Sequence, residues 1–301
     1  MLCIIFYSSA LKSEEEVKRI LISYNQNHKH HKSLASRLIE KLNINPYKII
    51  ESDDTNSKHH DTADYDLIIA IGNRANHSFI KPSNKTPFLS LLIPESAYTS
   101  LIKQRININK EFLYSAIYID QPMSRQIRMI KHLSSQFRTI SVLLGRNSYS
   151  QKNSIIKEIK NNGLTENTVF INNKIELIEK TREAIRNADI LLAIPDRNIY
   201  NRRTIQSILL TTYRKKIPVI GFSGTFVRAG ALAAVYSTPD DISEQAKMTA
   251  KKIITKIQLP IREYPSFYNV TINRKVAHSL GLPSFSQTEV IEKLHNDEAP
   301  K

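Results

Sequence analysis

The stretch ADILLAIPDRNIYNRRTIQSILLTTYRKKIPVIGFSGTFVRAGALAAVY, residues 188–236, contains the pattern that decides the fold. It reads as an apolar strand, a helix, a second apolar strand and a glycine-flanked return to the sheet. Such a strand–helix–strand unit is typical of a parallel sheet covered by helices. In an open parallel sheet, ligands bind beyond the carboxyl ends of the strands. Asp196, after ILLAIP, and Ser223, after PVIGF, therefore stand where a ligand would be met.

The same alternation of strands and helices extends over most of the chain. From Lys18 onward, helical patterns separate the runs RILISY, YKIIES, YDLIIAIG and TPFLSLLIP, and a second series after YSAIYIDQP includes RTISVLLG and TVFI. Strands such as DLIIAI are apolar at every position, as expected when helices cover both faces of a sheet. Because each series has too many strands to be an appendage of the other, we predict an α/β fold of two doubly wound parallel-sheet lobes.

No long linker rich in Gly, Ser or Pro separates the two series. We therefore predict that three short crossings, near 115–119, 230–234 and 261–270, join the lobes and act as hinges. The end of the chain is polar and shows no sustained helical face beyond VIEKL, so we expect it to be loosely held. The predicted division is a signal-peptide remnant at 1–17, lobe I at 18–117 plus 231–262, lobe II at 118–230 plus 263–285, and a loosely ordered tail at 286–301.

Composition places the chain among globular proteins. Its 301 residues are 41% apolar, an ordinary fraction for a packed core. Cys3 is the single cysteine, which excludes an intramolecular disulfide and any CxxC metal site. The net charge of +15 comes from Lys and Arg scattered over predicted helix surfaces. We interpret this charge as a solubilising surface and expect no nucleic-acid partner, with an anionic partner as the alternative.

The first residues combine a short apolar run, a small-residue patch and an acidic cluster in the order MLCIIFYSSALKSEEEV. This order resembles the back half of a secretory signal peptide whose basic leading region is missing. It predicts a protein that is secreted across the inner membrane into the periplasm. The alternative interpretation takes CIIFY as the first strand of the fold.

Several segments, taken in their order and spacing, resemble one known family over roughly residues 18–283. They are SAIYIDQPMSRQIRMIKHL, ISVLLG, LLAIPD, PVIGFSGTFVRAGALAAVYS and VTINRKVAHSLGLPS. They resemble the bacterial ABC-transporter substrate-binding family, whose members include tryptophan- and aromatic-amino-acid-binding proteins. The family's re-entry and tail motifs match two sets of residues: Ala229, Gly230, Ala231 and Leu232, then Asn273, Ala277, Leu280 and Gly281.

This resemblance implies a type 1 periplasmic-binding-protein fold. In that fold, two lobes joined by three crossings close on a small ligand and present it to a membrane permease. The chain departs from the family pattern at STPDDISEQA, where relatives usually have an aromatic residue and a glycine, and in the His- and Lys-rich first loop YNQNHKHHKS. The identity of the ligand therefore does not carry over.

The candidate ligand-binding residues follow the predicted strand ends. Asp196 could pair with a ligand ammonium, as the resemblance also implies, or could cap the helix predicted near Asn198. Gly72 and Asn73 open a helix whose free N–H groups suit a carboxylate, although a plain strand-to-helix turn explains them as well. The other candidates lie at the remaining strand ends and in the first loop: Tyr24, Asn25, Gln26, Glu95, Ser96, Asp120, Gln121, Asn147, Ser148, Ser223 and Thr225.

A His-rich set invites a metal interpretation. It consists of His28, His30 and His31 with His59 and His60. Zinc requires about three or four ligands held in fixed geometry, whereas the first three histidines lie in a Lys- and Asn-rich loop without cysteine. We therefore predict a solvated surface and no metal site.

Catalytic motifs such as GxSxG, a P-loop or HExxH are absent from the sequence. We therefore predict a monomeric, non-enzymatic protein without cofactor. It is expected to be the substrate-binding component of an ABC importer, which binds an amino acid or similar small polar solute by hinge closure and delivers it to an inner-membrane permease. Two alternatives stay open: a two-lobe ligand sensor and, with less support, a sugar- or nucleotide-processing enzyme.

Overall fold

A computed structural model of the chain describes residues 17–43, 47–54, 61–81, 84–106, 113–173, 175–255 and 260–299. Within these ranges the chain forms two six-stranded sheets that are mainly parallel. Apolar clusters cover both faces of each sheet. The prediction of an α/β fold with two doubly wound lobes is confirmed. In the same ranges, no helix is both long and apolar enough to cross a membrane.

The first sheet shows why its strands are apolar at every position. It contains β1 (Lys18–Tyr24), β2 (Tyr47–Asp53), β3 (Leu67–Ile71), β4 (Phe88–Ile93), β5 (Tyr114–Tyr118) and the late β11 (Arg262–Glu263), in the spatial order β11-β5-β4-β3-β1-β2, and all its pairings are parallel. Its helices are α1 (Lys29–Leu42), α2 (Asn73–Phe79), α3 (Glu95–Arg105) and α9 (Pro239–Ile254). Ile69 of β3 packs with α1 and α9, whereas Ile68 packs with α2 and α3 on the opposite face. Both faces are therefore buried.

The second sheet repeats this arrangement with one antiparallel edge. It contains β6 (Thr139–Leu144), β7 (Thr165–Phe170), β8 (Ile190–Leu192), β9 (Val219–Gly221), β10 (Ala233–Tyr236) and β12 (Asn269–Ile272), in the order β12-β10-β9-β8-β6-β7. Only the β10–β12 pairing is antiparallel among these strands. Its helices are α4 (Met123–Leu133), α5 (Lys152–Asn161), α6 (Leu177–Ile185), α7 (Ile205–Arg214), α8 (Gly224–Ala229), α10 (Arg274–Ser279) and α11 (Gln287–Glu298).

The structure corrects the predicted lobe boundaries. The prediction assigned 231–262 to lobe I, but β10 pairs with β9 through Ala233 and Ile220 and therefore belongs to the second sheet. The chain returns to the first sheet only with α9, which packs on α1. Glu263, assigned to lobe II, pairs with Ile117 of β5 in the first sheet. The connections between the sheets are consequently residues 119–122, 237–238 and 264–268.

The expectation of a loosely held tail is wrong for the residues that the structure describes. Ser286 accepts a hydrogen bond from the Glu289 amide at 3.3 Å and begins α11. Val290 and Leu294 are buried against the core of the second sheet. Glu298 forms an ion pair with Arg125 of α4 at 2.7 Å. The predicted leader, by contrast, lies outside the described residues except for its last residue, 17.

Candidate functional site

A cavity of about 590 Å³ lies between the strand-end loops of the two sheets. This volume falls in the range of about 300–1,000 Å³ that is common for small-molecule sites. The first sheet contributes residues that follow β1, β2, β3, β4 and β5, and the second contributes residues that follow β6, β8 and β9. Carboxyl ends of parallel strands therefore converge on one space, as the strand-end rule predicts.

Half of the predicted ligand-binding residues line this cavity. They come from both sheets and from the first connection between them: Asn25, Asn73, Glu95, Asp120, Gln121, Asp196 and Ser223. Ser223 also caps α8, because its Oγ accepts a hydrogen bond from the Phe226 amide at 3.2 Å. Its hydroxyl is consequently shared between the helix and the cavity.

The other half does not line the cavity and has other contacts in the fold. This set consists of Tyr24, Gln26, Gly72, Ser96, Asn147, Ser148 and Thr225. Tyr24 donates its hydroxyl to Glu51 at 2.7 Å, and Thr225 accepts from the Arg228 guanidinium at 2.9 Å. Gly72 has a φ of +86° and begins α2 with the His31 ring directly against it.

Asp196 lies at the cavity, but hydrogen bonds within its own lobe occupy its carboxylate. Oδ2 accepts from the Ser148 amide at 3.1 Å and the Ser148 hydroxyl at 2.9 Å. Oδ1 accepts from the Asn198 amide at 2.8 Å and the Asn147 side chain at 3.4 Å. A carboxylate offers about four acceptor positions, so all of them are used. The residue joins the loops after β6 and β8. The predicted helix near Asn198 is wrong, because turns follow Asp196 and α7 begins only at Ile205; Asp196 therefore caps a turn.

Glu95 and Asp120 form an acidic wall of the cavity on the side of the first sheet. Asp120 accepts a hydrogen bond from the Glu95 amide at 2.6 Å, and Tyr264 donates its hydroxyl to the Glu95 carboxylate. Burial raises the pKa of Asp120 to about 6, and the nearby Glu95 carboxylate adds to the rise. Burial also raises the pKa of Tyr118 to about 12. This wall suits a ligand that donates hydrogen bonds.

Asp54, directly after β2, is a cavity residue that sequence reasoning missed. It is 2% exposed, and within the described ranges neither carboxylate oxygen has a hydrogen-bond partner. Arg74 Nε lies 3.9 Å from Oδ1, and the Arg74 side chain is 63% exposed. Burial raises the pKa of the Asp54 carboxyl, and the nearby Asp53 adds to the rise, whereas the Arg74 charge and the nearby Asn25 side chain oppose it. The run SDDTNSKHH lies at the end of the predicted strand YKIIES, but no sequence signal distinguished Asp54 from its neighbours in that run.

His28 and His31 also line the cavity, although we expected a solvated surface there. Their rings lie 4.0 Å apart, and His31 Nδ1 is buried without a hydrogen-bond partner among the described residues. Burial lowers the pKa of His31 to about 4, and the charges of His28, His30 and Arg197 contribute to the decrease. His28 and His31 are three residues apart at the start of α1, just after the end of β1. This spacing was the sequence signal that could have placed both rings at the cavity. His59 and His60 lie outside the described residues. Among the residues that are described, no group of three or more potential metal ligands occurs.

The second sheet contributes an aromatic wall that sequence reasoning also missed. Tyr200 and Phe222 line the cavity with their ring centroids 6.0 Å apart, and Phe226 packs behind Phe222 at 5.2 Å. Arg197 lies on the same side and lines the cavity directly after Asp196. On the side of the second sheet, the cavity therefore has an aromatic surface and the exposed Arg197 side chain.

Two doubly wound lobes with a solute-sized cavity between their strand ends define a solute-binding protein of the type 1 periplasmic-binding-protein fold. A family model of ABC transporter substrate-binding proteins matches residues 8–284. The chain belongs to this family, and the resemblance recognised from its sequence is confirmed. The family implies a small-molecule ligand and a membrane permease as partners, and its members work outside the cytoplasm. A search of curated protein sequences finds no match to the chain.

Solved structures agree with this fold. The ligand-free, open structure of a Clostridium difficile substrate-binding protein with adhesive properties is 16% identical, with a TM-score of 0.72 over 90% of this chain and 97% of that chain. A Streptococcus pneumoniae ABC domain in complex with L-Trp is 19% identical, with a TM-score of 0.63 over 91% and 98%. A conserved domain protein from Vibrio cholerae is 14% identical, with a TM-score of 0.63 over 92% and 98%.

Proposed function

We propose that this protein binds an amino acid or a similar small polar solute in the cavity between its lobes and delivers it, chemically unchanged, to an ABC permease. The observation that carries the proposal is the cavity itself, of about 590 Å³, which is lined from both sheets. Its acidic wall and aromatic wall suit a solute with a charged end and an apolar body. The L-Trp complex of the similar Streptococcus pneumoniae domain supports the same class of solute.

The proposed mechanism is closure about the three connections between the sheets. Gln151 of the second lobe donates to the Ser96 hydroxyl of the first lobe at 3.4 Å, which shows that loops of the two lobes are within reach of each other. Within the connections, Gln121 donates to Ser237 at 2.9 Å. A solute that contacts both lobes stabilises the closed arrangement by its differential affinity for it.

Delivery to an importer places the protein in the periplasm, facing the permease. The family assignment supports this location. The apolar run within residues 1–17 supports export as well, because it resembles part of a secretory signal.

A thermal-shift screen against L-amino acids, organic acids and sugars tests the proposal. At about 100 times its Kd, a bound solute should raise the Tm by about 5 °C or more. Asn73→Trp should abolish the shift, because Asn73 is exposed at the cavity lining and a bulky ring there fills the space. Asn161→Trp is the matched control, since Asn161 is an exposed helical residue away from the cavity.

The proposal fails under either of two results. One is that no solute in the screen shifts the Tm of the wild-type protein. The other is that every solute that raises the Tm of the wild-type protein raises the Tm of Asn73→Trp and of Asn161→Trp equally. Turnover of a bound solute, followed by mass spectrometry, would contradict delivery of an unchanged molecule.

A further inference from the structure

Asp54 differs from the other acidic residues of the cavity because its carboxylate has no hydrogen-bond partner in the described part of the chain. The carboxylates of Asp196, Asp120 and Glu95 all accept hydrogen bonds from the protein. Both oxygens of Asp54 are buried at the cavity and accept no hydrogen bond from the residues that the structure describes. Buried polar groups are paired in the great majority of cases, so an orphan carboxylate at a cavity indicates a missing partner.

The nearby cation does not supply that partner. Arg74 Nε stays 3.9 Å from Oδ1, beyond hydrogen-bond distance, while most of its side chain faces solvent. A buried carboxylate needs a full positive charge together with hydrogen-bond donors to offset its desolvation. Arg74 reduces the cost of the charge but leaves both oxygens free to accept hydrogen bonds from a molecule in the cavity.

We propose that Asp54 binds a cationic nitrogen, most simply a primary ammonium, of the transported solute. This inference rests on the proposed function and specifies the chemistry of its ligand. An ammonium provides three donors and a compensating charge, whereas a sugar hydroxyl provides no charge. A metal ion requires several fixed ligands, and the described residues hold no such group.

The opposite side of the cavity suits the other end of a zwitterion. Arg197 lies at the lining on the second lobe, and its charge is close enough to His31 to lower the pKa of that residue. An anionic group directed toward Arg197 and an ammonium directed toward Asp54 would place one charge of the solute against each lobe. Binding of both ends would then favour the closed arrangement.

Isothermal titration with matched compound sets tests the inference. The first set is L-tryptophan, tryptamine and indole-3-propionate, and the second is L-leucine, isoamylamine and 4-methylpentanoate. The wild-type protein should bind at least one compound that carries an ammonium, and the deaminated acid of that set should bind at least about 10-fold more weakly. Asp54→Asn, which keeps the shape and removes the charge, should weaken the ammonium compound by about 10- to 100-fold.

Asp64→Asn is the matched control, because Asp64 is an exposed residue of the same lobe, and its affinities should equal those of the wild type. Retention of affinity within twofold in Asp54→Asn overturns the inference but leaves solute binding intact. Equal affinity for a deaminated acid and its parent amino acid has the same effect. If none of the six compounds binds the wild-type protein, the inference is overturned, and the wider thermal-shift screen decides separately whether the protein binds any solute.

Discussion

Removal of the Arg125 side chain should destabilise the second lobe strongly. Arg125 lies on α4 and is buried, and it donates to both Glu298 oxygens at 2.7 and 2.9 Å. It also donates to Gln121 Oε1 at 2.6 Å and to the Pro265 carbonyl at 2.8 Å, and it stacks over the Tyr268 ring at 3.9 Å. One side chain thereby joins α11 to two of the three connections between the sheets.

The size of the effect follows from these contacts. Arg125→Met keeps much of the apolar stem but leaves the Gln121 and Pro265 oxygens without donors, at about 1–3 kcal/mol each. Loss of the guanidinium over Tyr268 adds about 0.5–1 kcal/mol. The Glu298 side chain is 25% exposed and can regain water. From the two oxygens left without donors and the lost contact with the Tyr268 ring, we therefore expect the free energy of unfolding to fall by about 3–5 kcal/mol.

Urea unfolding followed by circular dichroism measures this loss. Arg128→Met is the matched control one turn along α4, because Arg128 makes a single 3.3 Å hydrogen bond to the Asp297 carbonyl. Its loss should stay below about 1 kcal/mol. A loss below about 1 kcal/mol for Arg125→Met, or equal losses for the two variants, would refute the reasoning.

Three further variants test local features by urea or thermal unfolding. Gly72→Ala should lower the free energy of unfolding by about 1–3 kcal/mol, because a Cβ there would lie 2.2 Å from His31 Cε1 at a φ of +86°. Gly163→Ala is the control and should lower it less, because the space around Gly163 is open. Asp196→Asn should lose about 2 kcal/mol, because the NH2 group that replaces one carboxylate oxygen cannot accept the two hydrogen bonds made to that oxygen. Asp54→Asn should lose nothing, and the reverse order would contradict their assigned roles. His31 has a pKa of about 4 in the folded protein against 6.5 ordinarily, so the unfolded chain takes up its proton first as pH falls. The wild type should therefore lose about 1–3 kcal/mol relative to His31→Gln between pH 6.5 and 4, and a constant difference across that window would contradict the burial of the ring.

Much of the fold could be predicted because two-sided burial leaves a clear mark on the sequence. Runs such as LIIAI, residues 67–71, are apolar at every position, and helical patterns separate them. The lobe boundary could not be predicted in the same way. Ala233–Tyr236 is a short strand whose letters do not reveal which sheet it joins, and its pairing with β9 decides the matter. The helix α11 was missed because Val290 and Leu294 give only a weak apolar face by themselves.

The candidate site was predictable only in part. The strand-end rule gives the position of a side chain, but not whether its polar atoms already form hydrogen bonds within the protein. It correctly placed Asn25, Glu95 and Ser223 at the cavity. It could not show that Ser148 and its neighbours donate hydrogen bonds to the Asp196 carboxylate, because these bonds form only when the loops after β6 and β8 lie next to each other. Asp54 lies in a polar run in which every residue type is common. That its carboxylate is buried without a hydrogen-bond partner among the described residues becomes visible only in the structure.

A single-tryptophan reporter tests most directly whether the solute binds between the lobes. The chain contains no tryptophan, so Phe222→Trp places one fluorophore at the cavity, and Tyr213→Trp places one on the exposed outer surface of α7. Each variant is titrated with the non-fluorescent solutes that raise the wild-type Tm. We predict a saturable, one-to-one change in the emission of Phe222→Trp and none in that of Tyr213→Trp. Unchanged emission from Phe222→Trp with every such solute, or equal changes in both variants, would contradict binding in the interlobe cavity.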